Sequence, residues 1–518
     1  MGFKEIRDPV HGWVRLSEDE AKYIDECPYI QRLRHISQDG MVPYVYPSAK
    51  GTRFEHSLGT MYLAERMVRR LIGDLDQARL RTLLEALNLY DEGIEALVTY
   101  VKMSGLHHDI GHPPLSHVLD GYMSINLDGA DDAYSLGIGK EHEVAGLLNL
   151  STGMLRRHVA RLGLDPDTLA LFTFYKLIKR IWRITSYTKH REVPGSLGTI
   201  LELYRDVEGQ GEEYVLLLET LSSIVSGPFD ADRLDYTLRD IYMTGAGSGS
   251  NAIDVDRLIT YLHPGKGYLI FDDKAKAFLE GYMIARYNLY KWVYTHHKVL
   301  LYSEFVRESI GQILSHNRGL RDSALRFING NPAESDLDRY VDYAVMYSIS
   351  DYYYSHVDEK GPILEYLDSI MHRRTEWRAL WKRDEDYISL MGVGNALLVN
   401  RLIDELKGEG SVKNILKIKE AISDKLTDLK GCGGLIVSVP LFEVEFKVII
   451  KGGDYTATID EASPLVKAIS LSWEQAPHIF IYTNARRLRE SCGLNMADVS
   501  RAVASRLVSM AQSYFNKH

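Results

Sequence analysis

Apolar residues recur at intervals of three and four along most of the first 390 residues, the spacing of helices that bury one face. Met61–Leu75, Gln77–Leu89, Gly281–His297 and Ser303–Ser315 carry the pattern most regularly, and Leu201–Val225 repeats it. An Arg- and Lys-rich amphipathic stretch follows Leu155 and ends near the Pro194-Gly195 turn, reading as a helical insert over about 153–195. Thr244–Ser250 is rich in glycine and follows a helical pattern rather than a strand, which predicts a helix stop and not a phosphate-binding loop. Residues 330–335 predict another loop, with Ser335 placed to start the next helix. Past residue 390 the pattern changes. Phe442–Val448 alternates apolar and charged residues as a half-buried strand does, and His478–Tyr482 predicts a second strand. Gly431–Gly434 supplies a turn, and Ala497–Phe515 a closing helix. The chain is expected to be mainly α, with a core over 1–260, a helical extension over 261–390 that completes the site, and a C-terminal α+β region over 391–518.

The length of 518 residues leaves room for two to four domains, and 45% hydrophobic with 25% charged residues is an ordinary globular composition. No apolar run approaches the ~20 residues that span a bilayer, so no membrane segment is expected. Met1–Val10 is charged and lacks the apolar stretch of a secretory signal, and Ile6 departs from the myristoylation pattern that Gly2 opens. The three cysteines, Cys27, Cys432 and Cys492, are far apart in sequence. That spacing predicts neither a disulfide framework nor a cysteine zinc module, and it fits a cytoplasmic protein. With 61 Lys+Arg against 71 Asp+Glu, the net charge of −10 disfavours a surface built throughout for nucleic acid. Arg156–Arg191 runs the other way, with nine Lys/Arg and two Asp/Glu. A solvated helix face is the commoner origin of such a run than a subunit or nucleic-acid contact.

The 18 histidines change the picture, because any metal site must then be built from imidazole and carboxylate. Leu106–His117 holds His107, His108, His112, His117 and Asp109 within twelve residues. On a helix His108 and His112 share a face until Pro113-Pro114 stops it. Neutral imidazole with carboxylate suits Mn, Mg, Fe, Ni or Zn. His56, at the start of a helical pattern, offers another ligand. A helix over 229–240 sets Asp232, Tyr236 and either Arg239 or Asp240 along one face. His107 reads as structural, since adjacency to Asp109 favours His108 as the ligand.

His56, His108-Asp109 and Asp232 reproduce an H…HD…D signature, and here the chain resembles the HD-domain metal-dependent phosphohydrolases. More closely, it is similar to their dNTP triphosphohydrolase branch, which includes bacterial dGTPase-like enzymes and the animal sterile-alpha-motif/HD-domain enzyme. The likeness runs in order through Asp8-Pro-Val-His-Gly12, Gln31-Arg-Leu-Arg34, Tyr46-Pro47, Arg53-Phe-Glu-His-Ser-Leu-Gly59, His108-Asp-Ile-Gly-His112 and Ser116-His117. It continues through His142-Glu143, Asp232-Arg-Leu-Asp-Tyr236, Arg239-Asp240 and Val293-Tyr-Thr-His296. Past about residue 390 no motif extends it.

The resemblance implies an HD-domain helical bundle in which His56, His108, Asp109 and Asp232 ligate a divalent ion. It implies that His112, His117 and His142 gather round the substrate phosphates, with His117 a proton donor to the leaving 5′ oxygen. Arg53, Arg233, Tyr236, Asp240 and Arg286 would hold triphosphate or sugar, and Gln38 would meet the sugar. Glu26, Gln31, Arg34 and His296 match places that face an activating nucleotide, although Glu26 stands where an Asp commonly reads guanine. The implied activity is metal-dependent hydrolysis of (deoxy)nucleoside triphosphate to (deoxy)nucleoside and triphosphate, in a homo-oligomer between dimer and hexamer. A phosphodiesterase or nuclease acting on cyclic dinucleotides or single strands is the alternative. One departure is informative. Asp39 replaces the usual Leu after this Gln, and a carboxylate there accepts a hydrogen bond from a ribose 2′-hydroxyl, which predicts relaxed selection for deoxy sugars.

Overall fold

The computed structural model describes residues 2–130, 140–187, 197–246, 253–408, 412–440, 446–453 and 455–516. It is mainly α-helical, as the patterning predicts. The chain opens on an antiparallel hairpin, β1 (Phe3–Asp8) and β2 (Gly12–Ser17). Helix α1 (Arg53–Ile72) begins at a capping box in which the Thr52 N–H donates to Glu55 Oε2 at 3.0 Å. Helix α2 (Ile94–His107) is apolar nearly all round and is buried from Tyr100 to His107, as a central helix must be. Helix α3 (Glu141–Ser151) and helix α4 (Pro166–Thr173) lie beyond it, and α4 packs on both. Helix α5 (Ala231–Thr244) crosses α1 on the other side.

Two glycines let these backbones meet. A Cβ on Gly105 of α2 would lie 2.9 Å from the Thr60 carbonyl oxygen of α1, and one on Gly59 of α1 would lie 1.8 Å from Asp235 Oδ1 of α5. The ends of α1, α2 and α5 therefore converge, and the candidate site forms there.

Helix α6 (Lys276–Asn288) and helix α7 (His297–His316) replace the single helix expected over Gly281–His297. Between them Leu289–Tyr294 widens into a π turn, with the Thr295 N–H donating to the Tyr290 carbonyl at 3.0 Å. Gly211 splits the 201–225 pattern into helices Gly198–Gln210 and Glu212–Ser222. Gly245, at φ 70°, stops α5, as its glycine run predicts, while residues 247–252 lie outside the described part. The helix after residue 330 starts at Glu334 rather than Ser335, because the Asp336 carboxylate accepts from the Ala333 N–H at 2.8 Å. The stretch read as an insert contributes core: Leu169, Leu171 and Phe172 of α4 are buried. Two of its cations are paired, Arg156 with Asp167 at 2.8 Å and Lys179 with Glu219 at 2.7 Å. Residues 188–196 lie outside the described part.

Two small sheets complete the fold. Strands β3 (Leu262–Pro264), β4 (Leu269–Asp272), β7 (Ile449–Gly452) and β8 (Tyr455–Thr458) pair in the order β3-β4-β7-β8, with β4 and β7 parallel. Strands β5 (Trp377–Ala379), β6 (Ile436–Ser438) and β9 (Phe480–Asn484) pair antiparallel in the order β5-β9-β6. Each sheet takes strands from both sides of residue 390. The strand expected over Phe442–Val448 begins at Ile449 instead, residues 441–445 being outside the described part, and the one expected at His478 starts two residues later. Helix α8 (Val412–Lys425) and helix α9 (Met496–Phe515) cover this region. The expectation of no disulfide is overturned: Cys432 and Cys492 are bonded, their Cα atoms 5.9 Å apart. They end the neighbouring helices Thr427–Cys432 and Ala485–Cys492, a proximity that a sequence separation of 60 conceals. Cys27 is buried and free.

Gly105→Ala is expected to cost about 1–3 kcal/mol in urea unfolding, because its methyl meets unyielding backbone of α1. Gly209→Ala, with nothing within 4 Å, is expected to leave stability unchanged or raise it by up to about 1 kcal/mol.

Candidate active site

Three helix ends deliver the tetrad. His56 lies in the first turn of α1, Asp232 in the first turn of α5, and His108-Asp109 just past the last turn of α2. His56 Nε2 stands 3.0 Å from Asp232 Oδ1, 3.5 Å from Asp109 Oδ2 and 3.2 Å from His108 Nε2. His108 Nε2 is 3.4 Å from Asp109 Oδ1 and 3.6 Å from Asp232 Oδ1. His56 Nδ1 meets Asp235 Oδ2 at 2.7 Å and His108 Nδ1 meets the Gly105 carbonyl at 2.8 Å. A carbonyl and a carboxylate only accept, so each neutral ring carries its proton on Nδ1 and turns a bare Nε2 lone pair inward. Two such lone pairs facing two carboxylates are a donor set for a divalent cation. The electrostatics favour positive charge at this place: burial opposes charge on His56, but its hydrogen bonds to Asp232 and Asp235 and the charge of Asp109 outweigh it and push the imidazole up to about 10, so a bound cation takes the place of a proton on the ring.

Asp235 is held in turn. It accepts from Arg239 Nε and Nη2 at 2.9 Å and meets His11 Nε2 at 2.5 Å, while Arg239 Nη1 reaches Asp8 at 2.9 Å. Burial would raise its carboxyl, yet Arg239 and the two histidines hold it far below the usual range. On α5, Asp240 and not Arg239 faces the site.

The second cluster is built of three imidazoles. The helix expected to carry both His108 and His112 ends at His107, and the turn over His108–Gly111 sends the two histidines into separate clusters. His112 stacks on His142 at 3.9 Å between ring centres, and His117 stands 4.8 Å from His112. Asp120 receives His142 Nδ1 at 2.7 Å and the His142 N–H at 3.0 Å. Burial, with the charges of Arg53 and His142, holds His112 well below its ordinary value, and partial desolvation with the charges of Arg53 and His142 draws His117 below its own. Where the tetrad favours positive charge, His112 and His117 disfavour it. Asp109 joins the two, its Oδ1 3.2 Å from His112 Nε2 and its Oδ2 paired with Arg53. Arg53 also reaches Ser116 Oγ at 2.8 Å and the Gln38 carbonyl at 3.4 Å, while Gln38 Oε1 is buried without a partner.

The remaining candidates extend the cleft. Arg286 donates to Tyr236 Oη at 3.3 Å, which stands 3.3 Å from Tyr290 Oη, and Arg233 pairs with Asp230. Tyr294 donates to Asp240, and Asp39 is hydrogen-bonded to the same carboxyl. Burial raises Asp39 to about 6, and burial with the charge of Asp39 raises Asp240. Gln31 accepts from Arg34 at 2.9 Å on the surface, and Glu26 ends the exposed helix Glu18–Glu26. His296 caps α7 beside a cavity of about 560 Å³, which His297 lines together with Lys298, Arg373, Arg378 and Lys382. His107 turns away, bonding Tyr23 and the Met103 carbonyl. Sequence alone assigns no separate role to Asp235, His11, Asp120, Tyr290 and Tyr294. Nor does it assign one to Arg32, which donates to the His112 carbonyl at 2.7 Å. Several lie inside the motifs already singled out, which was the only sequence signal for them.

No family model matches the chain. Over 99% of its length the chain is 26% identical to an uncharacterized protein of Methanocaldococcus jannaschii, covering 88% of that protein. Over 50% of its length it is 32% identical to the deoxynucleoside triphosphate triphosphohydrolase SAMHD1 of Bos taurus, and 30% identical to that of Homo sapiens. These matches span only 38% and 36% of those relatives. Among solved structures, a hypothetical protein of Aquifex aeolicus matches with a TM-score of 0.52 at 21% identity, covering 97% of this chain and 100% of that one. A phosphohydrolase of Bacteroides thetaiotaomicron matches with a TM-score of 0.53 at 19% identity, covering 93% and 99%. The helical fold is shared with these solved structures, and over half its length the chain is similar to the deoxynucleoside triphosphate triphosphohydrolases. No helix among the described residues is long and apolar enough to cross a membrane.

Asp235→Asn is expected to weaken Mn binding about 10–100-fold in calorimetric titration, because the His56 ring loses the anion that fixes its tautomer.

Proposed function

We propose that this protein is a metal-dependent triphosphohydrolase that splits nucleoside triphosphates between the 5′ oxygen and the α-phosphorus. The observation that carries the reading is the tetrad, whose Asp109 also meets His112 of the three-imidazole group, beside the buried Arg53 and Arg286. His56, His108, Asp109 and Asp232 would hold the divalent ion. When bound, that ion supplies Lewis-acid polarisation of the phosphoryl oxygens and activates a water nucleophile.

The chain's own residues do the rest. Arg53, Arg233 and Arg286 present fixed positive charge to a polyanion in a site where solvent screening is weak. His117, whose side chain is 39% exposed, stands at the open side of the imidazole group. A triphosphate brought against it reverses the local field, raises its proton affinity and makes it the donor to the leaving 5′ oxygen. Asp120, 3.8 Å from His117 Nδ1, orients that ring and fixes His142. His112 and His142 serve as hydrogen-bond donors to phosphate oxygens. The similarity to enzymes named for deoxynucleoside triphosphates supports the substrate class.

Asp39 and Asp240 place carboxyl oxygens under Tyr294, so the pair accepts from vicinal hydroxyls. In this reading ribonucleotides are substrates. The cationic cavity beside α7 supports an activating nucleotide, held there by His297, Lys298, Arg378 and Lys382, with activation linked to assembly of a homo-oligomer.

Incubation with Mn or Mg and each nucleotide, followed by product analysis, is expected to show tripolyphosphate and nucleoside. Nucleoside monophosphates released from oligonucleotides or cyclic dinucleotides would instead identify a phosphodiesterase. Asp109→Ala is expected to abolish turnover. Asp39→Leu is expected to shift the kcat/KM ratio of ATP to dATP toward dATP by about tenfold, the worth of one discriminating hydrogen bond. A large deoxy preference in the parent protein, unchanged by this substitution, would refute the role of Asp39.

A further inference from the structure

The turn that carries His117 is held in an unfavourable backbone. Leu115 and Ser116 both adopt positive φ, 56° and 51°, where side chains crowd the following carbonyl. Such a conformation persists only when its surroundings fix it. From the N-terminal side it is fixed by Arg53 on Ser116 Oγ and by the Asp342 carboxylate, which accepts from the Leu115 N–H at 2.7 Å.

From the other side the grip comes from α7. Arg307 donates through Nε to the Val118 carbonyl at 2.9 Å and through Nη2 to the His117 carbonyl at 3.2 Å. Its third nitrogen, Nη1, reaches Glu304 Oε1 at 2.7 Å. Glu304 is wholly buried and takes two further partners, both past residue 410: Ser438 Oγ of β6 at 2.9 Å and the Lys419 ammonium of α8. Lys419 is itself buried, and the Tyr122 ring lies under both cations, 4.9 Å from Arg307 Cζ and 5.5 Å from Lys419 Nζ. Packing repeats the connection. A Cβ on Gly121, just beyond this turn, would lie 2.4 Å from Val412 Cγ2 at the start of α8.

We propose that Lys419, Glu304 and Arg307 form a buried relay of positioning residues through which the region past residue 410 sets the placement of His117. A charge with three partners has one place to sit, so Glu304 fixes the Arg307 fork, and the fork fixes two consecutive carbonyls of the turn. Removing Lys419 leaves Glu304 with one cation instead of two, and the fork shifts toward it and away from the turn. The consequence for catalysis rests on the reading of His117 as proton donor given above. The consequence for the His117 environment does not.

Arg307→Ala, Glu304→Gln, Lys419→Met and Ser438→Ala test the relay, with Arg307→Lys asking whether one donor suffices. The first measurement needs no activity. Hydrogen–deuterium exchange at the imidazole C2 position, read by mass spectrometry, is expected to change at His117 in Arg307→Ala and Lys419→Met and to stay constant at His372. The second measurement is kinetic. Nucleoside triphosphate turnover is expected to lose about 10–100-fold in kcat with little change in KM, as misplacement of a catalytic group does. The loss is expected to be much smaller for a p-nitrophenyl ester of triphosphate, whose leaving phenolate needs no proton. Unchanged exchange at His117 in folded variants, or equal losses on both substrates, would overturn the relay. If the parent protein turns over no nucleoside triphosphate, the functional reading fails and the exchange data alone decide the relay. If Lys419→Met does not fold, the milder Glu304→Gln and Ser438→Ala variants decide it.

Discussion

Two imidazole Nε2 atoms 3.2 Å apart, set beside two carboxylates, are the constraint on which this molecule turns. Each Nδ1 is committed to Asp235 or to the Gly105 carbonyl, so both rings are locked with Nε2 turned toward the same small space. Such an arrangement repels itself, and it persists only because the elements that carry it are fixed by other means. The fixing is visible in the fold. Helices α1, α2 and α5 cross at glycines, close enough that a methyl group would collide with backbone or carboxylate. The buried Asp8–Arg239–Asp235–His11 chain ties the N-terminal hairpin to α5 and braces His56 from behind. Each charge in that chain has a partner, which keeps the cost of burying it tolerable.

Beside the tetrad lies a group with the opposite electrostatic preference. His56 is pushed toward the charged form by three carboxylates, whereas His112 and His117 are pushed away from it by desolvation and by the guanidinium of Arg53. Asp109 faces both, its Oδ1 between His108 and His112 and its Oδ2 toward His56. The two groups therefore meet opposite electrostatic demands within one cleft, although both are built on the same residue type.

The C-terminal quarter is part of this construction. Its strands pair with strands from the helical body in both sheets, and Lys419 and Ser438 meet at a carboxylate buried in α7. Trp377 and Trp381 are likewise buried where β5 lies against β9. The body and its C-terminal region share a core rather than touching at a surface.

Much of the site was legible in the chain as a chain. Histidine and aspartate in the order 56, 108–109, 232, with His112 and His117 near them, declare a candidate metal site, because few structural needs place so many titratable groups so close together. Helical periodicity over the first 390 residues sufficed for the fold class, since it is a local property with a fixed period. What the sequence left open was decided by contacts between distant segments. The helix through His108 ends earlier than the prolines imply, and that separates His112 into a second cluster. The π turn after α6 brings Tyr290 and Tyr294 together against Tyr236 and Asp240. The pairing of Cys432 with Cys492, the choice of Asp240 over Arg239, and the brace on Asp235 share one cause. Each depends on which helix ends become neighbours, and neighbourhood across tens to hundreds of residues is set by packing of the whole core, not by any residue's own preference.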